Sequence, residues 1–314
     1  MKIAVLIPCY NEALTIEKVV HGVKKEVPEA DIYVFDNNSK DGTADIAKKA
    51  GALVYSENRQ GKGNVVRTMF RLIEADVYVM IDGDDTYPIE EIQKLIQPIA
   101  ENEADMCIGD RLTKGDYDAE NTRKFHSFGN WLVKNLINKL FSADLKDIMS
   151  GYRSFSKSFI KNTPILSDGF EIETEITLFS LHHKLRIVEV PISFRERPEG
   201  SVSKLNTITD GAKVILTIFK LYKDYKPLSL FTTVSTLIMV FGIVIGIPVI
   251  VEFIETGLVP KFPSAILATG CMILSAIGFT IGVILDTITK NQRQQFEILH
   301  KNFSDKPIIP PRLN

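Results

Sequence analysis

The sequence predicts an α/β domain with a mostly parallel, doubly wound sheet, followed by two helices that cross a membrane. Three observations support this class. Short apolar runs alternate with amphipathic helical stretches through the N-terminal two thirds of the chain, as in sheets joined by right-handed helical crossovers. These runs end in loops rich in Gly, Asn and Asp. Residues 228–251 and 264–285 contain no Lys, Arg, Asp or Glu, and each is long enough to span a bilayer.

The predicted elements follow one another at the spacing of such a sheet. We expect a first strand at residues 2–7 and a helix from residue 16, with Thr15 as its cap. Further along the chain we expect strands at 32–35 and 53–56, a helix at 65–75 and a buried strand at 77–81. Ligands of doubly wound sheets bind outside the carboxyl ends of the strands, so the polar loops that follow these strands are the candidate site.

The C-terminal third is predicted to consist of membrane segments. In order, these are an interfacial amphipathic helix at 207–227, a span at 228–251, an external loop at 252–263, a span at 264–286 and a tail at 287–314. Lysines precede the first span, and lysine and arginine follow the second, whereas the loop contains a single lysine. The positive-inside rule therefore predicts a multi-pass protein of the cytoplasmic membrane with both termini in the cytoplasm.

Alternatives to these membrane predictions stay open. The two spans are also compatible with buried helices of a soluble protein, although soluble helices of this length usually carry a charged face. The helix at 207–227 is compatible either with lying on the membrane surface or with packing on the N-terminal domain. Gly242 and Gly246 form a small-xxx-small pair, which predicts a helix contact.

The composition limits the function classes. A formal net charge of -2 argues against a general nucleic-acid-binding protein. The three cysteines, Cys9, Cys107 and Cys271, are widely spaced and show no disulfide or metal-ligand pattern, which indicates a reducing compartment. The first apolar run ends at Pro8 and is too short for a signal peptide.

The stretch 77–88, VYVMIDGDDTYP, contains the strongest local signal. Its apolar half predicts a buried strand, and Asp82, Asp84 and Asp85 follow within four residues. Carboxylates at the end of a buried strand need a cationic partner, and Mg²⁺ binds such oxygens while bridging to substrate phosphates. The alternative is a solvated acidic turn, in which Asp-Gly-Asp is also frequent.

A second loop, Gly61-Lys62-Gly63, precedes the helix predicted at 65–75. Backbone N–H groups at the start of a helix, together with a lysine, can bind a diphosphate. The loop lacks the full P-loop or dinucleotide fingerprint, so by itself it is equally typical of a turn that contains a lysine.

Several motifs in a fixed order resemble one known family. They are IPCYNE (7–12), FDNNSKDGT (35–43), NRQGKGNVVR (58–67), DGDDTYP (82–88), GDRL (109–112), DIMSGYRSFS (147–156), GFEIETEI (169–176) and VPISFRERPEGSVSKL (190–205). With these motifs, residues 3–206 resemble the family-2 inverting glycosyltransferases of the Rossmann-like GT-A fold, and among them the polyprenyl-phosphate type. The resemblance implies a GT-A domain at 1–206, a nucleotide-sugar donor, a polyprenyl-phosphate acceptor and Mg²⁺ or Mn²⁺ as the cofactor.

The resemblance also implies roles for individual residues on the donor side. The nucleotide would contact Pro8, Tyr10, Glu12, Asp36, Asn37, Gly61, Lys62, Asp82 and Gly83. Many relatives have Asp-Asp where this chain has Asp36-Asn37, so the contact to the base falls to Asn37 Oδ1 or to Asp36. The metal would be bound by Asp84 and Asp82, and its third ligand would be Asp85, Thr86 or a water.

On the acceptor side, the resemblance implies two sets of cations. Arg111, Arg123 and Ser127 would bind the lipid phosphate, and Arg195 or Arg197, with Ser203 and Lys204, would bind the diphosphate. Glu171 and Glu173 are candidates for contacts to the sugar, and Glu173 would be the general base if the acceptor were a hydroxyl. A polyprenyl phosphate needs no base, because its second pKa of about 6 leaves it mostly dianionic at neutral pH. Without the resemblance, Arg195 and Arg197 would be interpreted as a solvated charged turn.

The predicted function is the inverting transfer of one sugar, glucose or N-acetylglucosamine, from a UDP-sugar to undecaprenyl phosphate. The first alternative is mannose transfer from GDP-mannose to dolichyl or undecaprenyl phosphate. The second is a non-catalytic membrane protein that binds a nucleotide sugar. A processive polysaccharide synthase is disfavoured, because no QxxRW-like segment occurs. The resemblance is also compatible with a homo-oligomer such as a tetramer.

Overall fold

The structure is a computed structural model, and it describes residues 1–114, 124–201, 204 and 207–303, without the side chains of 124–128, 207–208 and 301–303. The chain divides into two compact units. The first unit contains residues 1–218 and the described residues from 296 onward, and the second unit contains residues 219–295.

The first unit contains a seven-stranded sheet in the order β3-β2-β1-β4-β6-β5-β7. The strands are β1 (Ile3–Cys9), β2 (Asp31–Asp36), β3 (Leu53–Ser56), β4 (Val77–Met80), β5 (Met106–Asp110), β6 (Arg153–Ser156) and β7 (Ile187–Pro191). All neighbouring pairs are parallel except those that β6 makes with β4 and β5. The predicted fold class, an α/β domain with a mostly parallel sheet, is therefore confirmed, and the antiparallel β6 is an addition that the strand-helix alternation did not indicate.

Helices cover both faces of this sheet. They are α1 (Ile16–Glu26), α2 (Thr43–Lys49), α3 (Lys62–Leu72), α4 (Ile92–Ala100), α5 (Lys124–Phe141), α6 (Lys157–Asn162) and α7 (Ile172–His183). Residues of β1 alternate between two apolar clusters, since Val5 and Ile7 face one and Ala4 and Leu6 face the other. This period of two places alternate side chains of the strand on the two faces of the sheet, so both faces are packed.

Element boundaries differ from the sequence prediction at α3. The helix was predicted at 65–75, but it begins at Lys62 and ends at Leu72. Gly61 adopts φ 127°, a conformation that favours glycine, and it leads directly into the helix. Lys62 is therefore in the first turn of α3 and not in a preceding loop.

Three longer helices follow the sheet. They are α8 (Thr207–Tyr225), α9 (Pro227–Thr256) and α10 (Phe262–Phe303). On α8, Val214 and Ile218 are buried, whereas Leu216 is 68% exposed. The helix thus combines a packed face with exposed apolar residues, so its two predicted interpretations are not mutually exclusive.

Helices α9 and α10 have the length and composition of membrane spans. Only 11% and 22% of their most apolar stretches are buried, which does not support the alternative of two core helices in a soluble protein. Within the second unit, a Cβ added to Gly242 would lie 2.9 Å from the Cβ of Cys271, and one added to Gly278 would lie 2.6 Å from Ser235 Oγ. The small residues therefore let α9 and α10 approach each other closely, and the contact predicted for Gly242 lies within the chain.

The last turns of α10, from Phe296 onward, belong to the first unit. The ring of Phe296 lies 3.8 Å from that of His183 and 5.4 Å from that of Phe179, centroid to centroid, and both partners belong to α7. His300 Nδ1 is 2.9 Å from Ser158 Oγ. Residues from 287 to 303, which were predicted only as a tail, are therefore helical.

Candidate active site

A cavity of about 1240 Å³ lies at the carboxyl ends of β1, β2, β4 and β5. Strands β1 and β4 are neighbours at the centre of the sheet, with the chain leaving in opposite directions, which is the switch point where such sheets bind ligands. The predicted site residues that line this cavity are Pro8, Tyr10, Glu12, Asn37, Gly61, Lys62, Asp82, Gly83, Asp84, Thr86, Arg111, Glu171, Glu173, Arg197 and Lys204. Asp36, Asp85 and Arg195 are not among its lining residues. The predictions for Arg123, the side chain of Ser127 and Ser203 fall outside the described residues.

Lys62 joins two carboxylates in the centre of the cavity wall. Its Nζ lies 2.7 Å from Asp82 Oδ1 and 2.6 Å from Glu173 Oε1, and the lysine side chain is only 11% exposed. Burial opposes the charge on Lys62, but Asp82 and Glu173 outweigh it and raise the lysine pKa above its ordinary value. Lys62 is therefore a permanent cation that holds both acids in place.

Gly151 makes room for this ion pair. A Cβ at Gly151 would lie 2.7 Å from Asp82 Oδ2 and 3.0 Å from Lys62 Nζ. The backbone N–H of Gly151 donates to Tyr87 Oη at 2.8 Å. Burial raises the pKa of Tyr87 to about 12, so its hydroxyl stays protonated at neutral pH. The tyrosine fixes the segment before β6 against the acidic pair.

Three backbone N–H groups of the predicted diphosphate loop already have partners within the chain. The N–H of Gly61 donates to Asn37 Oδ1 at 2.7 Å, and those of Gly63 and Asn64 donate to the carbonyl oxygen of Asp168 at 3.0 and 3.4 Å. In this arrangement these three groups are not available to a diphosphate, and nucleotide binding by Gly61 and Lys62 stays a prediction.

Long-range hydrogen bonds fix that covering segment, residues 165–168. Arg67 on α3 donates to the carbonyl oxygens of Ile165, Leu166 and Ser167 at 2.7, 2.9 and 3.1 Å. The carboxylate of Glu175 accepts from the N–H groups of Leu166 and Ser167 at 2.9 and 2.8 Å. The partners are about a hundred positions apart in the sequence for Arg67, so local pattern gives no sign of them.

The side chain of Asn37 connects two loops through hydrogen bonds. Its Nδ2 donates to the carbonyl oxygens of Glu57 and Arg59, both at 2.8 Å, and its Oδ1 accepts from Gly61 N at 2.7 Å and Gln60 Nε2 at 3.1 Å. A side-chain amide has two donor hydrogens and two acceptor lone pairs, and all four are used here. Asn37 therefore has no remaining acceptor for the base of a nucleotide in this arrangement.

Asp36, unlike Asn37, has one side-chain oxygen that accepts no hydrogen bond from the described residues. Its Oδ2 accepts from Ser39 N at 3.1 Å, whereas Oδ1 is buried and makes no hydrogen bond to the described residues. Of the two residues that the sequence left open for base contact, only Asp36 has an unused oxygen.

Two cations from the segment after β7 neutralise the carboxylates at the other end of the cavity. Arg197 Nη2 forms an ion pair with Asp84 Oδ2, and Lys204 Nζ lies 3.0 Å from Glu12 Oε1. Thr86 donates from N and Oγ1 to Asp84 Oδ1 at 3.2 and 2.7 Å. Burial and the charge of Asp82 raise the pKa of Asp84, and burial raises that of Glu12.

The donor set fits a divalent cation. Asp82 and Asp84 both line the cavity, and their mutual repulsion contributes to the raised pKa of Asp84. The positive charge of Arg197 already forms an ion pair with Asp84. Two carboxylates, with waters and phosphate oxygens completing the shell, are typical of Mg²⁺ and Mn²⁺ sites. Within the described residues no group of three or more His, Cys, Asp or Glu is arranged as a metal site, so these two acids would have to share the ion with ligand oxygens.

The structure does not favour Asp85 as the third ligand. Asp85 has a left-handed backbone, φ 59°, and its side chain, 3% exposed, forms an ion pair with Lys18 away from the cavity. Thr86 Oγ1 is already engaged with Asp84. That bond uses the hydroxyl hydrogen and leaves the lone pairs of Thr86 Oγ1, so Thr86 and a water both stay predictions for the third ligand.

The residues predicted to bind anions are placed differently from one another. Arg111 lines the cavity and is held by Asp147, with Nε and Nη2 at 2.7 and 2.9 Å from the two carboxylate oxygens. Arg195 instead pairs with Glu90 in a largely exposed contact. The structure thus assigns the cavity to Arg197 and not to Arg195. Sequence reasoning missed Asp147 as a partner of Arg111, although it opens the quoted DIMSGYRSFS motif.

The far end of the cavity has an apolar wall. Leu132 and Val133 of α5 face it from one side, and Val214 and Ile215 of α8 from the other. A single cavity therefore runs from the carboxylates of β4 to the amphipathic helix. The fold and this cavity define a class of α/β proteins with acidic and basic side chains at the switch point of the sheet and an apolar wall beside them.

Comparison with known proteins assigns this class to a family. Residues 4–163 match the model of Glycosyl transferase family 2. The chain is 30% identical over 296 residues to Glycosyltransferase AglJ of Haloferax volcanii, a match that covers 94% of this chain and 96% of that protein. The chain therefore belongs to glycosyl transferase family 2 and is a glycosyltransferase.

Further relatives and a solved structure agree with this assignment. The chain is 29% identical to Dolichol-phosphate mannosyltransferase of Pyrococcus furiosus, covering 88% of this chain and 78% of that protein. It is also 29% identical to Undecaprenyl-phosphate mannosyltransferase of Micrococcus luteus, covering 69% and 93%. Glucosyl-3-phosphoglycerate synthase of Mycobacterium tuberculosis, crystallised with Mn²⁺, UDP and phosphoglyceric acid, has a TM-score of 0.59 at 21% identity over 70% of this chain and 78% of that one. The last similarity shows a shared fold.

Proposed function

We propose that the protein transfers one hexose from a nucleotide sugar to a polyprenyl phosphate, with inversion, at the cytoplasmic face of a membrane. One observation carries this proposal. The cavity joins the carboxylates to an apolar wall, and Glu173, the carboxylate best placed to be a general base, is 2.6 Å from the ammonium group of Lys62. The Glu173 oxygen that holds the ammonium group is not free to accept a proton from an acceptor hydroxyl, so an acceptor that arrives already ionised suits the site. The names of the Pyrococcus and Micrococcus relatives support the same acceptor class.

The reaction needs no proton transfer. An oxygen of the acceptor phosphate attacks the anomeric carbon, the bond from that carbon to the diphosphate breaks, and the electron pair leaves with the nucleoside diphosphate. A divalent metal, when bound, would neutralise charge on the leaving diphosphate. The protein supplies position and electrostatics, with Asp82 and Asp84 for the metal, Arg197 and Lys204 beside the diphosphate, and Arg111, oriented by Asp147, beside the acceptor.

The membrane arrangement is part of the proposal. Both termini would lie in the cytoplasm, with the catalytic domain at 1–206, the interfacial helix at 207–227 and the spans at 228–251 and 264–286. The exposed apolar residues of α8 and the charge-free stretches of α9 and α10 support it. A homo-oligomer remains a prediction, to be tested by native mass spectrometry of the detergent-solubilised protein.

The donor is proposed as UDP-glucose or UDP-N-acetylglucosamine, with GDP-mannose as the second candidate. Asp36 has an oxygen without a hydrogen bond to the described residues, but that oxygen is buried and Asp36 does not line the cavity, while both uracil and guanine offer an N–H to an acceptor. The mannosyltransferase names of two relatives favour GDP-mannose. The contact to the base therefore does not distinguish a UDP-sugar from GDP-mannose, and a direct assay is needed to identify the donor.

The experiment incubates the purified full-length protein with each radiolabelled donor, Mg²⁺ and either undecaprenyl or dolichyl phosphate. Label extracted into the organic phase with one donor would identify the sugar. We expect Asp84→Asn to abolish that label and Asp85→Asn, the matched neighbour paired with Lys18, to retain it. Absence of lipid-linked label with every donor would contradict the proposed acceptor.

A further inference from the structure

Arg197 forms an ion pair with Asp84, one of the two acids proposed to hold a divalent cation. Its guanidinium contacts Asp84 Oδ2, and its Nη1 lies 3.9 Å from Glu12 Oε1. Both carboxylates belong to the cavity wall, and the side chain of Asp84 is only 7% exposed. A metal that binds Asp84 through this oxygen must first displace the guanidinium.

The segment that carries Arg197 is anchored on both sides of it. On one side, the backbone N–H of Arg195 donates to the carbonyl oxygen of Thr86 at 3.0 Å. On the other, Lys204 Nζ contacts the carbonyl oxygen of Asn11 at 2.8 Å and Glu12 at 3.0 Å. Arg197 can therefore release Asp84 by a side-chain rotation while its backbone stays beside the cavity.

Arg197 also has an unused donor. Its Nη1 is buried and makes no hydrogen bond to any described residue. Guanidinium groups bind phosphate oxygens through paired N–H donors, so a diphosphate in the cavity would give Arg197 a better partner than the single carboxylate oxygen it now holds.

We propose that Arg197 is an exchangeable counter-ion that couples metal binding to nucleotide binding. Without nucleotide it occupies Asp84 and weakens metal binding. With nucleotide its guanidinium moves to the diphosphate, Asp84 becomes available, and metal and nucleotide bind together. The inference rests on the proposed function only for the presence of a diphosphate and a metal, and not for the sugar or the acceptor.

The test measures metal binding and not turnover. The full-length protein in detergent is titrated with Mn²⁺, and free Mn²⁺ is read by electron paramagnetic resonance, with no nucleotide, with UDP and with GDP. Arg197→Gln removes the charge but keeps a polar side chain of similar reach. Arg195→Gln is the matched control, because Arg195 lies two residues away and pairs with Glu90 outside the cavity.

We expect Arg197→Gln to bind Mn²⁺ at least about 5-fold more tightly than the wild type without nucleotide, the lower range of ordinary coupling between sites. We also expect the enhancement of Mn²⁺ affinity by the bound nucleotide to shrink by a similar factor, because linkage is reciprocal. Arg197→Lys, which keeps the charge, should stay close to the wild type, and Arg195→Gln should match the wild type in both conditions.

Two results would overturn the inference. One is an Arg197→Gln protein that binds Mn²⁺ without nucleotide no more tightly than the wild type, including the case in which neither binds. The other is an equal gain in Arg195→Gln, which would indicate a general loss of positive charge. A protein that shows the expected Mn²⁺ behaviour but forms no lipid-linked sugar would contradict the proposed function and leave this inference standing.

Discussion

Removal of the charge on Lys62 should strongly destabilise the first unit, which contains the sheet. Lys62→Met keeps the apolar stem of the side chain but leaves Asp82 and Glu173 facing each other without a cation. Glu173 is buried, with a side-chain exposure of 5%, and Asp82 is partly buried, with 25%. Breaking a buried ion pair by removing one partner is costly, because the remaining charge has lost its water and gained nothing in return.

The size of the effect follows from this burial. Losing one partner of a buried pair costs about 3–5 kcal/mol, and the partial exposure of Asp82 argues for the lower end, about 3 kcal/mol. In a domain of this size each kcal/mol lowers the melting temperature by about 2–4 °C, so the variant should melt roughly 6–12 °C below the wild type.

The assay is thermal unfolding of the full-length protein in detergent, at neutral pH and without ligand. Lys62→Met/Glu173→Gln should recover part of the loss, because it removes the more deeply buried of the stranded charges. Lys94→Met is the control, since Lys94 is 52% exposed beside Glu91 and an exposed pair contributes only about 0–1 kcal/mol. If Lys62→Met melts like Lys94→Met, or the double variant melts lower still, the ion pair does not stabilise the site in the way argued here.

Three further outcomes are expected. Hydrogen bonds from Arg59 lower the pKa of Glu57 to about 2, so Glu57→Gln should reduce the free energy of unfolding by about 1–2 kcal/mol at pH 7, after allowance for the exposure of Arg59. In thermal unfolding from pH 7 downward, the difference in stability between the variant and the wild type should become smaller below pH 4.5, and a difference independent of pH would contradict this. Burial and the charge of Asp82 raise the pKa of Asp84, so protons should displace the metal at a higher pH than from an ordinary aspartate. Mn²⁺ affinity measured at a series of pH values should therefore fall as the pH is lowered, and a flat profile would count against this. Gly151→Ala should displace Asp82 and lower kcat by about 10- to 100-fold in the labelled-lipid assay. Gly270→Ala, whose added Cβ meets nothing within 4 Å, should keep the wild-type kcat, and equal activities of the two variants would show that the close approach of Gly151 to Asp82 is not needed.

Much of the fold was predictable because it depends on local pattern. The alternation of apolar runs and helices indicated the sheet, and β3 occupies the predicted residues 53–56. Two charge-free stretches indicated α9 and α10. The antiparallel β6 escaped prediction because a short strand of Arg, Ser and Phe carries no mark of its direction, which depends on its neighbours in space.

The acidic stretch after β4 was recognisable as part of the site, since carboxylates at the end of a buried strand are costly without a cation. The sequence did not show which side chain supplies that cation. The sequence alone gives no distance between Lys62 and Glu173, or between Arg197 and Asp84, which are separated by more than a hundred positions.

The sequence by itself determined the α/β class, the two candidate spans and the motifs of the family, because each depends on the order of residues along the chain. Only the tertiary structure decided that Asn37 joins two loops, that the start of α3 is covered by Asp168 and that Asp85 pairs with Lys18. These outcomes depend on which polar groups find partners across the fold. A side chain whose hydrogen bonds or charge are already satisfied by the protein is less available to a ligand, and that cannot be judged before the partners are in place.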